Sequence, residues 1–327
     1  MRLALILVHY HTPELAAEAV EALRASLQDI DAEWLLVDNG SDAVGRALLE
    51  SLPVQRIDPG TNLGYAGGVN LGVARSTAEA VVLMNPDVLV LPGCIPALLD
   101  RLQSGAAVAG PAFYWDRGRR MLLPPAEERG RLEELLRGRR RWRVHARRHW
   151  EARAPIASWS LSGSLLAIRR DAWERVGPFD EGFRLFFEET DWLLRARRLG
   201  LRSEYVPGAE AVHLFNRSAA KEPRSRQWFE ESARRFRRLH YGAGFTWLLE
   251  RLPERRAPEL PMLKEIPVEA GSWVEVSPNP EGFPAAAERI AAPGLWMLPE
   301  EIAGRLEGTW TVQVTDREGR ELVRGRL

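Results

Sequence analysis

Residues 1–110 of this chain predict an α/β domain with a mainly parallel central sheet. Two observations support this fold: strand-like apolar runs recur along the segment, and helical stretches separate them. The first run, LALILVH, is continuously apolar up to His9, which is typical of a strand covered on both faces. Strands that alternate with helices indicate parallel neighbours joined by right-handed crossovers.

The elements of this domain can be predicted in chain order. Thr12, Pro13 and Glu14 supply an N-cap, a proline at the first helical position and an acidic first turn, so a helix of about 14 residues begins there. The next three strands are predicted at EWLLVDN (33–39), QRI (55–57) and AVVLMN (80–85). Later elements are a strand within 160–170, a helix from near Glu188 and an Arg-rich helix at 225–242.

The chain divides by composition into three expected parts. A main domain is expected over residues 1–243, with an Arg-rich insertion at about 116–155. A Pro-rich linker at 244–264 leads to a small β-rich unit at 265–327. This unit ends in a predicted hairpin, WTVQVTDREGRELVRGR, whose turn contains Glu318 and Gly319.

The insertion carries an Arg/Trp-rich segment at 137–150, with Trp142 and Trp150. One interpretation is a solvated helix or a mobile loop over a cleft. The other is a face that touches anionic lipid or an acidic acceptor, which would bring the protein to the inner face of a membrane.

Charge and composition exclude several classes of protein. The 45 basic and 45 acidic side chains cancel, so no overall field favours a nucleic-acid partner. No segment approaches the roughly 18 uninterrupted apolar residues of a transmembrane helix. The single cysteine, Cys94, excludes an intramolecular disulfide and suits the reducing cytosol. A cytoplasmic location is therefore expected.

Polar residues follow three of the predicted strands. His9, Asp38 and Asp87 come after strands one, two and four, where ligands bind in open α/β sheets. In Asn85-Pro86-Asp87 the proline ends the strand and fixes the turn that presents the carboxylate. Such a carboxylate is a common way to hold a divalent cation, although an N-cap for the next turn explains it equally well.

Glycines recur every four residues in NLGYAGGVNLGVARS. Gly64, Gly68 and Gly72 would form one stripe along a helix, where each glycine costs about 1 kcal/mol against alanine. Close packing on the sheet is one explanation, and room for a flat ligand near the helix start is the other. The G-x-G-x-x-G order is absent, so a dinucleotide fold is not expected.

Acidic residues open the helix predicted from Glu188. Glu188, Glu189 and Asp191 stand in its first turn and arginines stand in its last, an order that the helix dipole alone explains. The dipole also favours the ionised form of a first-turn carboxylate, while its acidic neighbours raise its pKa, so such a group is poised as a base. Downstream, His213 ends a strand-like run and fits either a metal ligand or a capped core histidine.

Together these stretches resemble the family 2 glycosyltransferases, which have the nucleotide-sugar-binding A-type fold, in the branch that includes bacterial rhamnosyltransferases. The resemblance covers roughly residues 3–240 and rests on LILVHYHTPEL, LLVDNGSD, NLGYAGGVNLGVA, LMNPDV, SGSLLAIRRDAWERVGPFDEGF, FFEETDWLLRARRLG and VPGAEAVH. It implies an inverting enzyme that moves a sugar from dTDP-rhamnose or a UDP- or GDP-sugar to a hydroxyl of a glycan or lipid-linked acceptor.

The resemblance also implies roles for individual residues. Asp87 and His213 would hold Mn²⁺ or Mg²⁺ against the donor diphosphate. Glu189 would be the general base, within an acidic motif that includes Glu188 and Asp191. The nucleotide-sugar pocket would be formed by His9, His11, Thr12, Asp38, Asn39, Asn62, Gly64, Gly67, Gly68, Asn70, Asn85 and Asp87.

Two positions depart from the family's pattern. Asn85 stands where the D-x-D metal motif has its first Asp, and Glu189 stands where the usual base is Asp. These departures favour one alternative, a non-catalytic sugar-nucleotide-binding or scaffold protein. A sugar-nucleotide pyrophosphorylase would carry a G-x-G-x-R-L stretch near the first strand, where this chain has VHYHTPEL.

Overall fold

The computed structural model describes residues 1–27, 30–135, 139–214, 224–252, 259–306 and 308–327. These residues pack as two compact units. The first consists of Met1–Ala112 and Ala152–Glu250, and the second of Phe113–Glu151 and Arg251–Leu327. Most of the segment expected as an insertion in the main domain, residues 116–151, therefore belongs with the C-terminal unit.

The strands and helices are numbered in chain order. The strands are β1 Leu3–His9, β2 Ala32–Asp38, β3 Gln55–Ile57, β4 Ala80–Met84, β5 Val88–Val90, β6 Val108–Tyr114, β7 Ile156–Ala157, β8 Leu165–Arg169, β9 Ser203–His213, β10 Pro267–Val268, β11 Trp273–Ser277, β12 Ala286–Arg289, β13 Gly294–Leu295, β14 Thr311–Thr315 and β15 Glu321–Arg326. The helices are α1 Pro13–Ser26, α2 Ala43–Glu50, α3 Gly64–Ala74, α4 Cys94–Gln103, α5 Arg131–Leu135, α6 Arg139–Trp150, α7 Arg170–Val176, α8 Glu188–Arg198, α9 Ser225–Tyr241, α10 Ala243–Glu250 and α11 Glu300–Ala303.

The largest sheet among the described residues has nine strands in the order β3-β2-β1-β4-β8-β6-β9-β5, with β7 beside β9. Strands β1 to β4 are parallel, as the sequence predicted. Strand β8 runs antiparallel to β4, and β5 runs antiparallel to β9. The α/β fold is confirmed, with a parallel half that ends at β4 and an antiparallel half built from later segments.

The glycine stripe of α3 is explained by packing on β1. All seven residues of β1 are buried. A Cβ atom at Gly72 would lie 2.5 Å from Ile6 Cγ2, and one at Gly68 would lie 2.6 Å from Val8 Cγ1. Both distances are too short for real carbon atoms, so helix and strand can approach this closely only where the side chain is absent. Close packing is therefore the correct interpretation for these two glycines.

The second unit is built on the antiparallel sheet β12-β11-β14-β15. Strands β14 and β15 form the hairpin that the sequence predicted. Helix α6 belongs to the same unit. Its Trp142 and Trp150 are buried beside Trp273, and its Arg143 lies 3.1 Å from the carboxylate of Glu275.

The Arg/Trp-rich segment forms helix α6 from residue 139, and its two tryptophans are buried. Trp142 and Trp150 are 7% and 5% exposed, so these two rings face protein and not lipid. Residues 137 and 138 of the segment lie outside the described residues. In the expected linker, residues 243–250 form α10, and 253–258 also lie outside the described part. No helix in the described ranges has the length and apolar character needed to cross a bilayer.

Candidate functional site

The side chains of Asp87 and His213 lie side by side, because Asp87 directly precedes β5 and His213 is the last residue of β9. Strand β4 ends at Met84, and the turn through Asn85, Pro86 and Asp87 leads directly into β5. Val88 then pairs with His213, and the backbone N–H of Leu214 donates to the carbonyl oxygen of Asp87 at 2.9 Å. This register brings Asp87 Oδ1 to 3.4 Å from His213 Nε2. These two side chains therefore lie next to each other, as expected from the sequence, and a shared cation site remains a prediction.

The Asp87 and His213 side chains are suitable ligands for a divalent cation. Two ligands at right angles on an ion with bonds of about 2.2 Å lie roughly 3 Å apart, close to the separation of Asp87 and His213. The side-chain oxygen of Asn85, two residues before Asp87, is buried without a hydrogen-bond partner. The described residues contain no group of three or more His, Cys, Asp or Glu side chains that could hold a metal. Substrate oxygens and water would therefore have to complete the coordination.

His9 is a buried support for Asp38 at the carboxyl ends of β1 and β2. The backbone N–H of Thr12 donates to His9 Nδ1, so the ring hydrogen is on Nε2. This Nε2 lies 3.1 Å from Asp38 Oδ1 and 3.1 Å from the Ser41 hydroxyl. Burial lowers the pKa of His9 despite the attraction of Asp38, which keeps the ring neutral near pH 7.

The Asp38 carboxylate is fixed in its ionised form. The backbone N–H groups of Ser41 and Gly40 donate to Oδ1, at 2.8 and 3.2 Å, and Arg56 donates to Oδ2 at 3.0 Å. Burial alone would raise the pKa of Asp38, but the hydrogen bonds from Ser41 and Gly40 outweigh it and hold the pKa below its ordinary value. Arg56 was not predicted from the sequence, because its position in a three-residue strand gives no functional signal.

Two predicted asparagines shape the start of α3. Asn39 donates to the carbonyl oxygen of Gly64 at 2.9 Å, which ties the end of β2 to this helix. Asn62 accepts from the N–H of Gly64 at 2.8 Å in a local turn. Gly64 has φ +73°, and a Cβ there would lie 3.1 Å from the carbonyl oxygen of Arg184. These three residues are therefore brought together, as a backbone scaffold at one edge of the sheet.

Other predicted residues of the pocket have distinct environments. Asn70 fastens the loop before α8 to α3, because it donates to the carbonyl oxygen of Phe179 and accepts from the Phe179 N–H. Gly67 on the same helix is buried, and Thr12 is the N-cap residue of α1, although its hydroxyl makes no cap hydrogen bond. His11 is exposed with φ +52°.

The three acids at the start of α8 differ in environment. Glu188 is 3% exposed, and its burial and then the charge of Glu189 raise its pKa well above the ordinary value. Asp191 accepts from Arg195 at 2.8 Å and lies 2.8 Å from His240 Nε2. Burial opposes ionisation of Asp191, but these partners lower its pKa. Asp191 is therefore held in ion pairs, whereas Glu189 is half-buried at the helix start.

The start of α8 is held in a strained conformation. Phe186 and Phe187 both have positive φ angles, 69° and 71°, which bulky residues rarely adopt. Helix α9 supplies the restraint: Ser232 donates to the carbonyl oxygen of Leu185, and the Phe187 ring lies 5.6 Å from that of Phe236. Strain of this kind persists only where surrounding structure imposes it. The direction of Glu188 and Glu189 is thus fixed by α9 as well as by their own helix.

Tyr65 was not predicted as a site residue from the sequence. Its hydroxyl donates to the carbonyl oxygen of Gly163 at 3.1 Å. Burial, and then the charges of Glu188, Glu189 and Asp87, raise the pKa of this hydroxyl well above its ordinary value. The only sequence signal was the position of Tyr65 inside the glycine-rich stretch. The structure therefore connects this phenol to the loop that precedes β8.

Known proteins of similar sequence identify the family. The chain matches Glycosyl transferase family 2 over residues 4–176. An N-acetylglucosaminyl-diphospho-decaprenol L-rhamnosyltransferase of Mycobacterium tuberculosis is 34% identical, over 58% of this chain and 69% of that protein. The dTDP-rhamnosyl transferase RfbF of Shigella flexneri is 24% identical, over 66% of this chain and 70% of that protein.

Solved structures of similar fold agree with this match. The mannosyltransferase PcManGT of Pyrobaculum calidifontis, in complex with GDP-Man and Mn²⁺, superposes with a TM-score of 0.52 at 18% identity, over 76% of this chain and 68% of that one. These values show a shared fold, which confirms the A-type fold expected from the sequence. The family match runs from β1 through α7, and the site residues Asp38 and Asp87 lie within it. The chain belongs to glycosyltransferase family 2 and is a nucleotide-sugar-dependent glycosyltransferase.

Proposed function

We propose that this protein is an inverting, divalent-cation-dependent rhamnosyltransferase that uses dTDP-rhamnose and a lipid-linked sugar acceptor in the synthesis of a cell-surface polysaccharide. The names of the relatives support the donor and acceptor, since two of them transfer rhamnose and one of these acts on a diphospho-decaprenol. UDP- and GDP-sugars are the other donors to test. Such an acceptor would be reached from the cytoplasm at the inner face of the membrane.

The observation that carries this proposal is that one loop, residues 162–164, is hydrogen-bonded to Asn85 beside Asp87 and packs against Glu189. Asp87 lies beside His213, where a cation would contact the donor diphosphate. Glu189 lies at the start of α8, where its side chain packs against Gly163 of the same loop. A transferase needs a proton acceptor and a diphosphate site close together on opposite sides of the reacting carbon. This grouping supports that arrangement.

Glu189 would act as the general base. As the acceptor hydroxyl oxygen forms a bond to the anomeric carbon, Glu189 takes its proton and the bond from that carbon to the diphosphate oxygen breaks. Attack from the face opposite the leaving group inverts the configuration. A bound Mn²⁺ or Mg²⁺ would supply offsetting positive charge to the departing diphosphate.

The other carboxylates would have supporting roles. Burial and then the charge of Glu189 raise the pKa of Glu188, which favours its protonated form and a single negative charge on the pair. Asp191 is already bonded to Arg195 and His240 and would hold the helix in place. The ionised Asp38, with Arg56 beside it, would contact the nucleoside.

The test is a transfer assay with the purified full-length chain. It should be incubated with Mn²⁺, a short-chain prenyl-diphospho-N-acetylglucosamine and, separately, dTDP-rhamnose, UDP-glucose and GDP-mannose. We expect nucleoside diphosphate release that depends on acceptor, is fastest with dTDP-rhamnose and gives a product of inverted anomeric configuration by NMR. Tight nucleotide binding without transfer to any acceptor would support the non-catalytic alternative instead.

A further inference from the structure

A short loop between β7 and β8, residues 162–164, touches both halves of the candidate site. On one side, the backbone N–H of Asn85 donates to the carbonyl oxygen of Ser164 at 2.9 Å, which joins the loop to the turn that carries Asp87. Inside the loop, the Ser162 hydroxyl lies 3.1 Å from the Ser164 hydroxyl. We call residues 162–164 the serine loop. It is thus tied to the turn on which the candidate cation ligand stands.

On its other side the serine loop packs against Glu189. A Cβ atom at Gly163 would lie 2.7 Å from Cγ, 2.9 Å from Cβ and 3.1 Å from Cδ of Glu189. Real Cβ contacts are almost never this short, so the Glu189 side chain can lie where it does only because residue 163 is glycine. Gly163 has no φ in the left-handed region, so backbone conformation does not explain this glycine. The close approach of the Glu189 side chain explains why residue 163 is glycine.

Tyr65, which lies on α3, is hydrogen-bonded to this loop. Its hydroxyl donates to the carbonyl oxygen of Gly163, the same residue whose Cα faces Glu189. The raised pKa of Tyr65 keeps the phenol protonated, so it remains a donor throughout the neutral pH range. A phenylalanine would fill the same space but leave the Gly163 carbonyl oxygen without this hydrogen bond.

We propose that Tyr65 is a positioning residue for Glu189, acting through the carbonyl oxygen of Gly163 and the serine loop. The inference rests on the proposed function, in which Glu189 is the general base. The Tyr65 hydrogen bond fixes the position of the serine loop relative to the turn that carries Asp87 and relative to Glu189. Loss of the bond frees the loop and lets Glu189 take conformations from which it cannot reach the acceptor hydroxyl.

The first experiment replaces Tyr65 by phenylalanine. We expect kcat of Tyr65→Phe to fall about tenfold, the effect of one lost hydrogen bond on a placed base, while KM for the donor and nucleotide affinity stay within twofold. Tyr205→Phe is the matched control, since this buried tyrosine on β9 packs in the main core. Its kcat should be unchanged. Wild-type kcat in Tyr65→Phe would overturn the proposal.

A double-mutant cycle tests whether Tyr65 acts through Glu189. If it does, Tyr65→Phe should cost no further activity when Glu189 is already glutamine, because no base remains to be misplaced. An equal tenfold loss in both backgrounds would show that Tyr65 acts independently of Glu189, and would overturn the proposal. A general structural defect would also appear in both backgrounds, so the cycle separates it from positioning.

Gly163→Ala tests the loop from the other end. Its added Cβ would displace Glu189, so we expect roughly a hundredfold fall in kcat with nucleotide affinity retained. Gly208→Ala is the control, because a Cβ there has nothing within 4 Å. Full activity of Gly163→Ala would contradict the positioning role of the loop.

If Glu189→Gln itself transfers at the wild-type rate, the base assignment in the proposed function fails. If Glu189→Gln is inactive but Tyr65→Phe is not impaired, only the role of Tyr65 fails.

Discussion

Asp87 Oδ1 lies 3.4 Å from His213 Nε2, because Asp87 directly precedes β5 and β5 pairs with β9 in a register that sets Val88 against His213. The residues are far apart in sequence, and the pairing of β5 with β9 alone brings them together. The turn at Asn85-Pro86 directs the chain from β4 into β5 and thereby buries the Asp87 carboxylate beside the imidazole. A buried carboxylate is stabilised by nearby positive charge, and the proposed cation would supply it.

Asp87→Asn should abolish cation-dependent nucleotide binding. The substitution keeps size and removes the charge that would attract the ion, so we expect Mn²⁺ with dTDP to raise the Tm of the wild type but not of the variant. The control is Asp100→Asn, which removes an exposed carboxylate from α4. An equal Mn²⁺-dependent shift in Asp87→Asn and the wild type would show that Asp87 does not hold the ion.

Asp191→Asn should lower the free energy of unfolding and leave the rate of sugar transfer nearly unchanged. Its carboxylate bonds to Arg195 and His240, so loss of the charge should lower the free energy of unfolding by about 2 kcal/mol. Transfer by the folded variant should stay within about threefold of the wild type, because the residue contacts no reacting atom. Urea unfolding and a transfer assay at 20 °C below the variant's Tm measure the two effects. Lost activity at unchanged stability would contradict this role.

Gly72→Ala should destabilise the first unit although alanine favours helices. The new Cβ would lie 2.5 Å from Ile6 Cγ2, and overpacking of this kind costs roughly 1–3 kcal/mol. Gly244→Ala in α10 is the matched control, since a Cβ there meets nothing within 4 Å. The control should be neutral or more stable by up to about 1 kcal/mol. Urea unfolding measures both variants, and equal stability of the two would show that packing does not require Gly72.

Buried His149 should make the second unit less stable in mild acid. Burial lowers its pKa from 6.5 to about 4, so below pH 6.5 the unfolded chain binds a proton that the folded chain excludes. The free energy of unfolding therefore falls as the pH drops from 6.5 towards 4. His149→Phe removes this titration. Between pH 7.5 and pH 5 the wild type should lose about 2 kcal/mol more than the variant in urea unfolding. The same loss in both proteins would contradict the assignment.

Several features were predictable because local chemistry fixes them. Pro13 marks the start of α1, and the alternation of strands and helices indicates the parallel half of the sheet. Asp87 and His213 were expected to share a site, since both follow or end strands and both match the family motifs. These signals are local in sequence or belong to long motifs.

Other features depend on tertiary contacts that no local pattern shows. The antiparallel strands β8 and β9 have the same apolar character as parallel ones, so their direction was not readable. The apolar faces of Trp142 and Trp150 looked suited to lipid because the sheet that covers them lies more than a hundred residues later in the chain. The importance of Gly163 and Tyr65 appears only when α3, α8 and the serine loop are in place.

The most direct test of the account is the rate of sugar transfer by Glu189→Gln. Glutamine keeps the size of the side chain but accepts no proton, so transfer should fall by roughly 10²–10⁴-fold while nucleotide affinity stays the same. Glu189→Asp should retain more activity than Glu189→Gln, because it keeps a carboxylate with a shorter reach. Transfer by Glu189→Gln at the wild-type rate, with Glu188→Gln or Asp191→Asn inactive, would contradict the assignment of the base.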